Sequence, residues 1–134
     1  MIKLNLPSDL NCLAQIDDII EGIKTKFEIS ETIANNLMMA FHEGITNAIL
    51  HGNKLDPGKS VEVIIDKINN DLIIEIIDQG EGFNPNELPN PLDESNLLKS
   101  GGRGVFLIQQ FADKVEYSEK GNKLTIIYHL NSSR

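Results

Sequence analysis

The stretch 41–53 constrains the fold more than any other part of the sequence, because its two faces are unlike. Placed on a helix at about 100° per residue, it continues an apolar stripe suited to packing on a sheet. The stripe consists of Leu37, Met38, Phe41, Ile45, Ala48 and Ile49. Glu43 and Asn47 lie opposite the stripe, one helical turn apart, and are therefore neighbours on a second face.

This second face is unusual for a helix surface that meets water. Its other members are mostly apolar, and residues 27–53 contain no Lys or Arg. Gly44 within the helix costs about 1 kcal/mol relative to Ala. We infer that something covers this face and that Glu43 and Asn47 point into a cavity. The alternative is a partly exposed helix with an ordinary Glu and Asn.

Composition limits the classes of function. Acidic residues outnumber basic ones by 20 to 12, which gives a net charge of −8. Without a basic cluster the chain would be repelled by nucleic acids and anionic membranes, so we expect neither as a partner. The 134 residues, 40% of them apolar, match a single domain spanning 1–134 with its own core.

Cysteine usage and hydropathy predict a cytoplasmic protein. Cys12 is the single cysteine, so an internal disulfide is excluded, and without a Cys/His cluster there is no zinc signature. We interpret Cys12 as a small residue on a helix face. The sequence shows no N-terminal signal pattern, and no apolar run reaches the ~18 residues of a membrane span.

The first part of the chain predicts one strand and two helices. Alternating apolar residues at 1–6 predict a strand, and Ser8 is the candidate N-cap of a helix over 10–27. The central helix begins at Ser30 and ends near 51–53.

The second part predicts a hairpin, a long loop and a closing helix with two strands. Strands at 61–68 and 72–78 are joined by turn formers. The second strand is apolar apart from Glu75 and is expected to be central in its sheet. Residues 79–104 lose all periodicity and predict a functional loop. A helix and two strands complete the chain, at 105–113, 115–118 and 124–130.

The segment 53–60 is close to a phosphate-binding loop, but we reject that interpretation. Asn53 stands where the pattern needs its first Gly, and Pro57 interrupts the loop. The segment also leads from helix to strand, whereas the motif needs strand to helix. Lys59 is therefore expected to be a surface turn residue.

Asp78-Gln-Gly80-Glu-Gly82 follows a buried strand and is a candidate ligand site. Glycines there allow positive φ and let a ligand approach the backbone closely. A carboxylate would repel phosphate, so Asp78 suits a hydrogen-bond donor such as the exocyclic amine of adenine. Guanine carries a carbonyl at that position and would be disfavoured. The alternative is a simple glycine-containing turn.

The segment 100–104 precedes the last predicted helix and is a candidate anion site. Its three glycines expose backbone N–H groups at a helix N-terminus. Arg103 adds a fixed positive fork that can hold a terminal phosphate. The alternative is a flexible hinge with a surface Arg.

The order of these segments resembles the GHKL ATPase superfamily, which includes gyrase, a heat-shock chaperone, sensor histidine kinases and mismatch-repair proteins. The pattern is Glu43-x-x-x-Asn47 on a helix, Asp78-x-Gly80-x-Gly82, a lid, and Gly102-x-Gly104. It extends over about residues 30–130. Within the superfamily, 43–52 and 100–108 look like the bacterial anti-sigma factor serine/threonine kinases of partner-switching systems.

The resemblance implies an α+β fold: a two-layer α/β sandwich whose mixed, mainly antiparallel sheet has helices on one face. ATP would lie between the helix layer and the lid. Asn47 would be the Mg²⁺ ligand, and Asp78 would bind adenine, with Gly80 and Gly82 against the base. The phosphates would be held by Gly101, Gly102, Arg103 and Gly104, with Arg103 on the γ-phosphate.

The resemblance also implies the activity and the partners. Glu43 would be the general base that takes the proton from a serine hydroxyl. The protein would phosphorylate a Ser of a STAS-type anti-anti-sigma protein and sequester a sigma factor. Homodimerisation is an expectation carried by the resemblance alone.

Three further residues, His42, His51 and Thr125, bear on the interpretation of the site. We interpret His42 as a helix-flank residue, because sensor histidine kinases carry their phosphoacceptor His on a separate dimerisation helix. His51 either lines the pocket or hydrogen-bonds near the helix end. The family usually has Gly-Thr at the start of the last strand, with the Thr near adenine; here Asn122 follows Gly121, and the register of Thr125 is open.

Two other functions remain open from the sequence. One is a non-catalytic ATP-binding module that regulates a partner, although a pure binder would not need Glu43. The other is the detached catalytic domain of a two-component histidine kinase. Transfer to His would give an acid-labile product, whereas transfer to Ser would give an acid-stable one.

Overall fold

A computed structural model describes residues 1–80, 112–118 and 121–130. Its sheet has five strands in the order β1-β2-β3-β5-β4, and every described pairing is antiparallel. The strands are β1 (Ile2–Pro7), β2 (Ser60–Ile68), β3 (Asp71–Ile77), β4 (Lys114–Tyr117) and β5 (Lys123–His129). The helical segments are a 3-10 turn (Leu10–Gln15), α1 (Ile16–Phe27), α2 (Glu31–Asn47) and a π-helical turn (Ala48–Gly52).

The β2–β3 hairpin forms as its sequence predicts. Asn69 and Asn70 have φ values of 52° and 69°, the left-handed conformation that a two-residue hairpin turn requires and that Asn tolerates. β3 lies between β2 and β5, which confirms that the most apolar strand is central.

One face of the sheet packs against the helices. Alternate residues of the strands are buried, as in Val61, Val63 and Ile65 of β2, because successive side chains of a strand point to opposite faces. The apolar stripe of α2 meets them, and Leu37 and Phe41 are fully buried in the shared core. The two-layer α+β architecture is therefore confirmed.

The start of the first helical region differs from the sequence prediction. Asp9, not Ser8, caps the 3-10 turn, with its carboxylate accepting from the Asn11 N–H at 2.9 Å. Ser8 is buried, and its hydroxyl donates to the Lys59 carbonyl at 2.9 Å. Ser8 therefore links distant segments, and Asp9 supplies the cap. Cys12 is buried in this turn, and burial raises the pKa of its thiol.

The start of α2 agrees with the prediction. The hydroxyl of Ser30 accepts a hydrogen bond from the Ile33 N–H at 3.2 Å, which satisfies one of the free donors of the first turn. The preceding helix α1 ends at Phe27 and is capped by Glu28, whose φ of 54° places it in the left-handed region.

Parts of the predicted loop at 79–104 and helix at 105–113 lie outside the described residues. The predicted helix does not reach Asp113, because Ala112 and Asp113 form a bend and the Asp113 N–H donates to the Ile127 carbonyl of β5 at 2.9 Å. In the described ranges, no helix is long and apolar enough to cross a membrane.

Candidate nucleotide site

Glu43 and Asn47 share one face of α2, as their spacing predicts. The side-chain amide of Asn47 donates to Oε1 of Glu43 at 3.3 Å, and both side chains are half-buried. An amide donates through its nitrogen and binds cations through its oxygen, so Asn47 can keep this bond and still ligate a metal ion.

The environment of Glu43 alters its acidity. Burial raises the pKa of the Glu43 carboxyl, while the hydrogen bond from Asn47 and the charge of His51 lower it by less. A carboxylate with a raised pKa is a stronger proton acceptor than an exposed one. His51 lies at the pocket edge with an exposed side chain, which favours the pocket-lining interpretation. His42 is exposed, as expected of a helix-flank residue.

A pocket of about 60 Å³ lies where the end of α2, the end of β3 and the β4–β5 turn meet. It brings together Asn47 and Asp78, which are far apart in the sequence and were both predicted as site residues. Glu43 does not line the pocket itself but is hydrogen-bonded to Asn47, which does. The lining residues are Gly44, Asn47, Ala48, His51, Gly52, Ile76, Asp78, Tyr117, Gly121, Asn122 and Leu124.

Asp78 is held from both sides. Its Oδ1 accepts from the Gly80 N–H at 2.9 Å. Its own N–H donates to the Asn122 carbonyl at 2.9 Å, and the Asn122 amide donates to the Asp78 carbonyl at 3.4 Å. The half-buried carboxylate therefore faces the pocket from a fixed backbone, as a group that recognises a hydrogen-bond donor should.

Glycines allow the helix end and the strand end to touch. A Cβ on Gly52 would lie 2.3 Å from Cγ of Asp78, and a Cβ on Gly80 would lie 2.0 Å from the Gly52 carbonyl oxygen. Positive φ, one of the two reasons that the sequence offers for glycine at position 80, does not apply. The φ of Gly80 is not positive, and the residue must be glycine because the backbone of Gly52 approaches it.

Gly44 has a comparable role deeper in the pocket. A Cβ there would lie 2.7 Å from Cδ1 of Ile76 and 3.3 Å from Cδ2 of Leu124. The helix can thus rest directly on β3 and β5 beneath Asn47. This contact explains why α2 tolerates a residue that is unfavourable within a helix.

Sequence reasoning missed Tyr117, Asn122 and Leu124, which form one wall of the pocket. Tyr117 and Leu124 are cross-strand partners in β4 and β5, so only the strand register brings them to the site. Burial, and then the charges of Glu43 and Asp78, raise the pKa of the Tyr117 hydroxyl. The sequence predicts strands on both sides of Asn122, but it does not indicate that the Asn122 side chain bonds to Asp78.

The register also places Thr125. Leu124 and Ile126 of β5 are buried on the helix side, while Thr125 alternates with them and pairs with Glu75 and Glu116. Thr125 therefore lies on the opposite face of the sheet from the pocket. Leu124 occupies the neighbouring position that faces the pocket.

Five predicted site residues lie outside the described residues: Gly82, Gly101, Gly102, Arg103 and Gly104. Their contacts with the phosphates stay predictions. The described half of the site fits an adenine nucleotide with a hard cation. The amide oxygen of Asn47 is a ligand that Mg²⁺ binds together with phosphate oxygens. The carboxylate of Asp78 can accept a hydrogen bond from an amine.

Comparison with known proteins agrees with this arrangement. The family described as the histidine kinase-like ATPase domain matches residues 6–128. The serine-protein kinase RsbW of Staphylococcus epidermidis is 28% identical, over 99% of this chain and 89% of that protein. The anti-sigma F factor of Clostridium perfringens is 31% identical, over 86% of this chain and 76% of that protein.

A solved structure shares the fold. The Erythrobacter litoralis EL346 blue-light activated histidine kinase superposes with a TM-score of 0.60 at 19% sequence identity. The match extends over 87% of this chain and 41% of that one. The family match over nearly the whole sequence, supported by this shared fold, shows that the chain belongs to the histidine kinase-like ATPase domain family.

Proposed function

We propose that this protein is an ATP-dependent protein serine kinase and anti-sigma factor of a partner-switching system. The observation that carries the proposal is the meeting of Asn47 and Asp78 in one pocket, with Glu43 hydrogen-bonded to Asn47. The family match supports ATP as the nucleotide. Relatives that are named serine-protein kinase and anti-sigma factor support the reaction and the regulatory role.

Each residue of the proposed site has a role that its chemistry suits. Asp78 accepts a hydrogen bond from the adenine amine, and Gly80 and Gly82 leave room for the base. Asn47 contributes its amide oxygen to Mg²⁺, which neutralises charge on the triphosphate when bound. The phosphates are held by Gly101, Gly102, Arg103 and Gly104, with the guanidinium of Arg103 at the γ-phosphate.

Glu43 serves as the general base. The hydroxyl oxygen of the substrate serine bonds to the γ-phosphorus, the bond to the β–γ bridging oxygen breaks, and ADP leaves. The hydroxyl proton passes to the Glu43 carboxylate, so atoms and charge balance. The hydrogen bond from Asn47 to the Glu43 carboxylate supports this role, because it restricts the orientation of the carboxylate.

The partners follow from the same role. The substrate is a STAS-type anti-anti-sigma protein with an exposed Ser, and the sequestered protein is a sigma factor. Such a system operates in the cytoplasm, and two copies of the chain would form its homodimer.

Phosphate transfer with matched variants tests the proposal. Wild type and Glu43→Gln are incubated with labelled ATP, Mg²⁺ and candidate STAS-domain partners, with Glu31→Gln on the first turn of α2 as the control. Transfer should fall by about 10²- to 10⁴-fold in Glu43→Gln and stay unchanged in the control. Removing Mg²⁺ with EDTA should abolish it.

Three outcomes would contradict the proposal. Transfer that survives Glu43→Gln removes Glu43 from the chemistry. An acid-labile product indicates transfer to His and the reaction of a histidine kinase. Tight ATP binding without transfer to any partner indicates a binding module.

A further inference from the structure

Asn53 is the most deeply buried polar side chain near the site, with 1% of its surface exposed. Both N–H groups of its side-chain amide donate hydrogen bonds. One goes to Oγ of Ser8 at 2.8 Å and the other to the Ser60 carbonyl at 2.9 Å. Its Oδ1 accepts from the Gln79 N–H at 2.7 Å. A buried amide satisfied in this way holds its partners in a fixed arrangement.

These bonds join segments that are far apart in the sequence. Asn53 follows the π-helical turn at the end of α2, Ser60 begins β2, and Gln79 follows the end of β3. Ser8 lies after β1. The side chain of Gln79 closes the arrangement, because its Oε1 accepts from the Ser60 N–H at 2.6 Å. The helix end and the strand end are thereby tied together through one side chain.

The hydrogen bond between Asn53 and Gln79 lies next to Asp78, the residue proposed to bind adenine. Gln79 is the residue after Asp78, and Gly80 packs against Gly52, the residue before Asn53. Two consecutive residues of the helix end thus contact two consecutive residues of the strand end. Hydrogen bonds to Asn122 fix Asp78 relative to β5, whereas Asn53 fixes it relative to α2.

We infer that Asn53 is a positioning residue for nucleotide recognition. Its side chain fixes the distance between Asn47 and Asp78. Asn47 binds at the phosphate end of the nucleotide, and Asp78 binds the base. A nucleotide of fixed length needs both groups at once, so a loosened strand end weakens base recognition more than it weakens phosphate binding. The inference rests on the proposed function, because it assumes that Asp78 reads the base.

Nucleotide selectivity distinguishes positioning from simple stability. The dissociation constants of ATP and GTP are measured with Mg²⁺ for the wild type, Asn53→Ala and Ser8→Ala. Ser8→Ala is the matched control, since it removes a hydrogen bond from the same buried network and leaves the Gln79 bond in place. Both variants should unfold at lower denaturant concentration than the wild type.

The expected result separates the two variants. Asn53→Ala should lose ATP affinity by about tenfold, the lower end of the effect of removing a supporting hydrogen bond behind a binding group, and its preference for ATP over GTP should shrink. The kcat at saturating ATP should change little while KM rises. Ser8→Ala should keep the wild-type preference and KM.

A conservative variant provides the rescue. Asn53→Asp keeps an oxygen that accepts from the Gln79 N–H and loses both donated bonds. It should therefore retain the ATP preference despite lower stability. If Asn53→Ala does not fold, Asn53→Asp still tests the inference, because loss of the preference in a folded variant that keeps the Gln79 bond would overturn it.

Two comparisons distinguish failure of the positioning role from failure of the proposed function. If the ratio of the ATP and GTP dissociation constants is the same in folded Asn53→Ala and in the wild type, the positioning role is overturned. Asp78→Asn identifies the other failure. If it leaves ATP binding unchanged, the proposed function is wrong at the base-recognising group; if it weakens ATP binding while Asn53→Ala does not, only the positioning role fails.

Discussion

The two halves of α2 differ in what they contribute. The first half begins with the Ser30 cap and buries Ile33, Ala34 and Leu37 in the core. The second half contains Gly44 and the Glu43–Asn47 pair, and continues into a π-helical turn. One half has the features that stabilise a helix, and the other has features that cost stability and build a pocket.

The π-helical turn shows how the second half departs from an ordinary helix. The Asn53 N–H donates to the Ala48 carbonyl at 2.7 Å, five residues back, and the Leu55 N–H donates to the Ile49 carbonyl at 2.8 Å. Wide turns of this kind are uncommon and are frequent at functional sites. Here the turn brings Gly52 against Asp78, so the departure from regular geometry assembles the site.

The largest expected effect tests the stabilising half. Leu37→Ala removes a fully buried side chain and should lower the free energy of unfolding by about 2–5 kcal/mol. Urea unfolding measures the loss. ATP affinity of the folded fraction should not change, and a large fall in that affinity would show that the two halves are not separable.

A glycine pair tests the pocket-building half. Gly52→Ala places a methyl group against the Asp78 carboxylate, which should cost about 1–3 kcal/mol of stability and weaken ATP binding. Gly22→Ala in α1 meets nothing within 4 Å and should raise stability by about 0.5–1 kcal/mol. Calorimetry with and without ATP measures both. Unchanged ATP binding in Gly52→Ala would contradict the contact between helix end and strand end.

The cap of α2 should give a smaller effect. Ser30→Ala removes the acceptor of the Ile33 N–H and should cost about 1 kcal/mol. Ser30→Asp, which keeps an acceptor, should restore most of the stability. Thermal unfolding measures the difference, and phosphate transfer should be the same in all three proteins.

The smallest effect is a shift in the titration of Tyr117. Burial, Glu43 and Asp78 raise the pKa of its hydroxyl above the ordinary 10.0. Because the folded-state pKa is the higher one, the stability from this group is full below about pH 10 and is lost as pH rises through the folded pKa. Glu43→Gln should lower the pKa of Tyr117 in a Tyr128→Phe background, as measured by ultraviolet titration. An unchanged pKa of Tyr117 would show that the charge of Glu43 does not act on this residue of the pocket wall.

Much of the fold could be predicted because its signals are local. Helical spacing predicts the buried stripe of α2, and the turn formers Asn69-Asn70-Asp71 predict the hairpin. The Glu43–Asn47 contact follows from a spacing of four residues on one helix. These features need only the geometry of a single element or turn.

The contacts that complete the site could not be predicted because they are long-range. Asn53 bonds to Gln79 across 26 residues and to Ser8 across 45, and no periodicity specifies such a pairing. Ser8 was assigned to a helix cap for the same reason. Tyr117 reaches the pocket only through the strand register. Asn53 itself was considered only as a mismatch to a phosphate-loop pattern.

The position of β5 has a consequence for how this domain is made. It is the last described strand in the sequence, yet it pairs with β3 on one side and β4 on the other. As the chain leaves the ribosome, β1, β2 and β3 can pair early, whereas β4 must wait for residues 123–129. The nascent protein therefore cannot close this pocket wall until translation has passed β5.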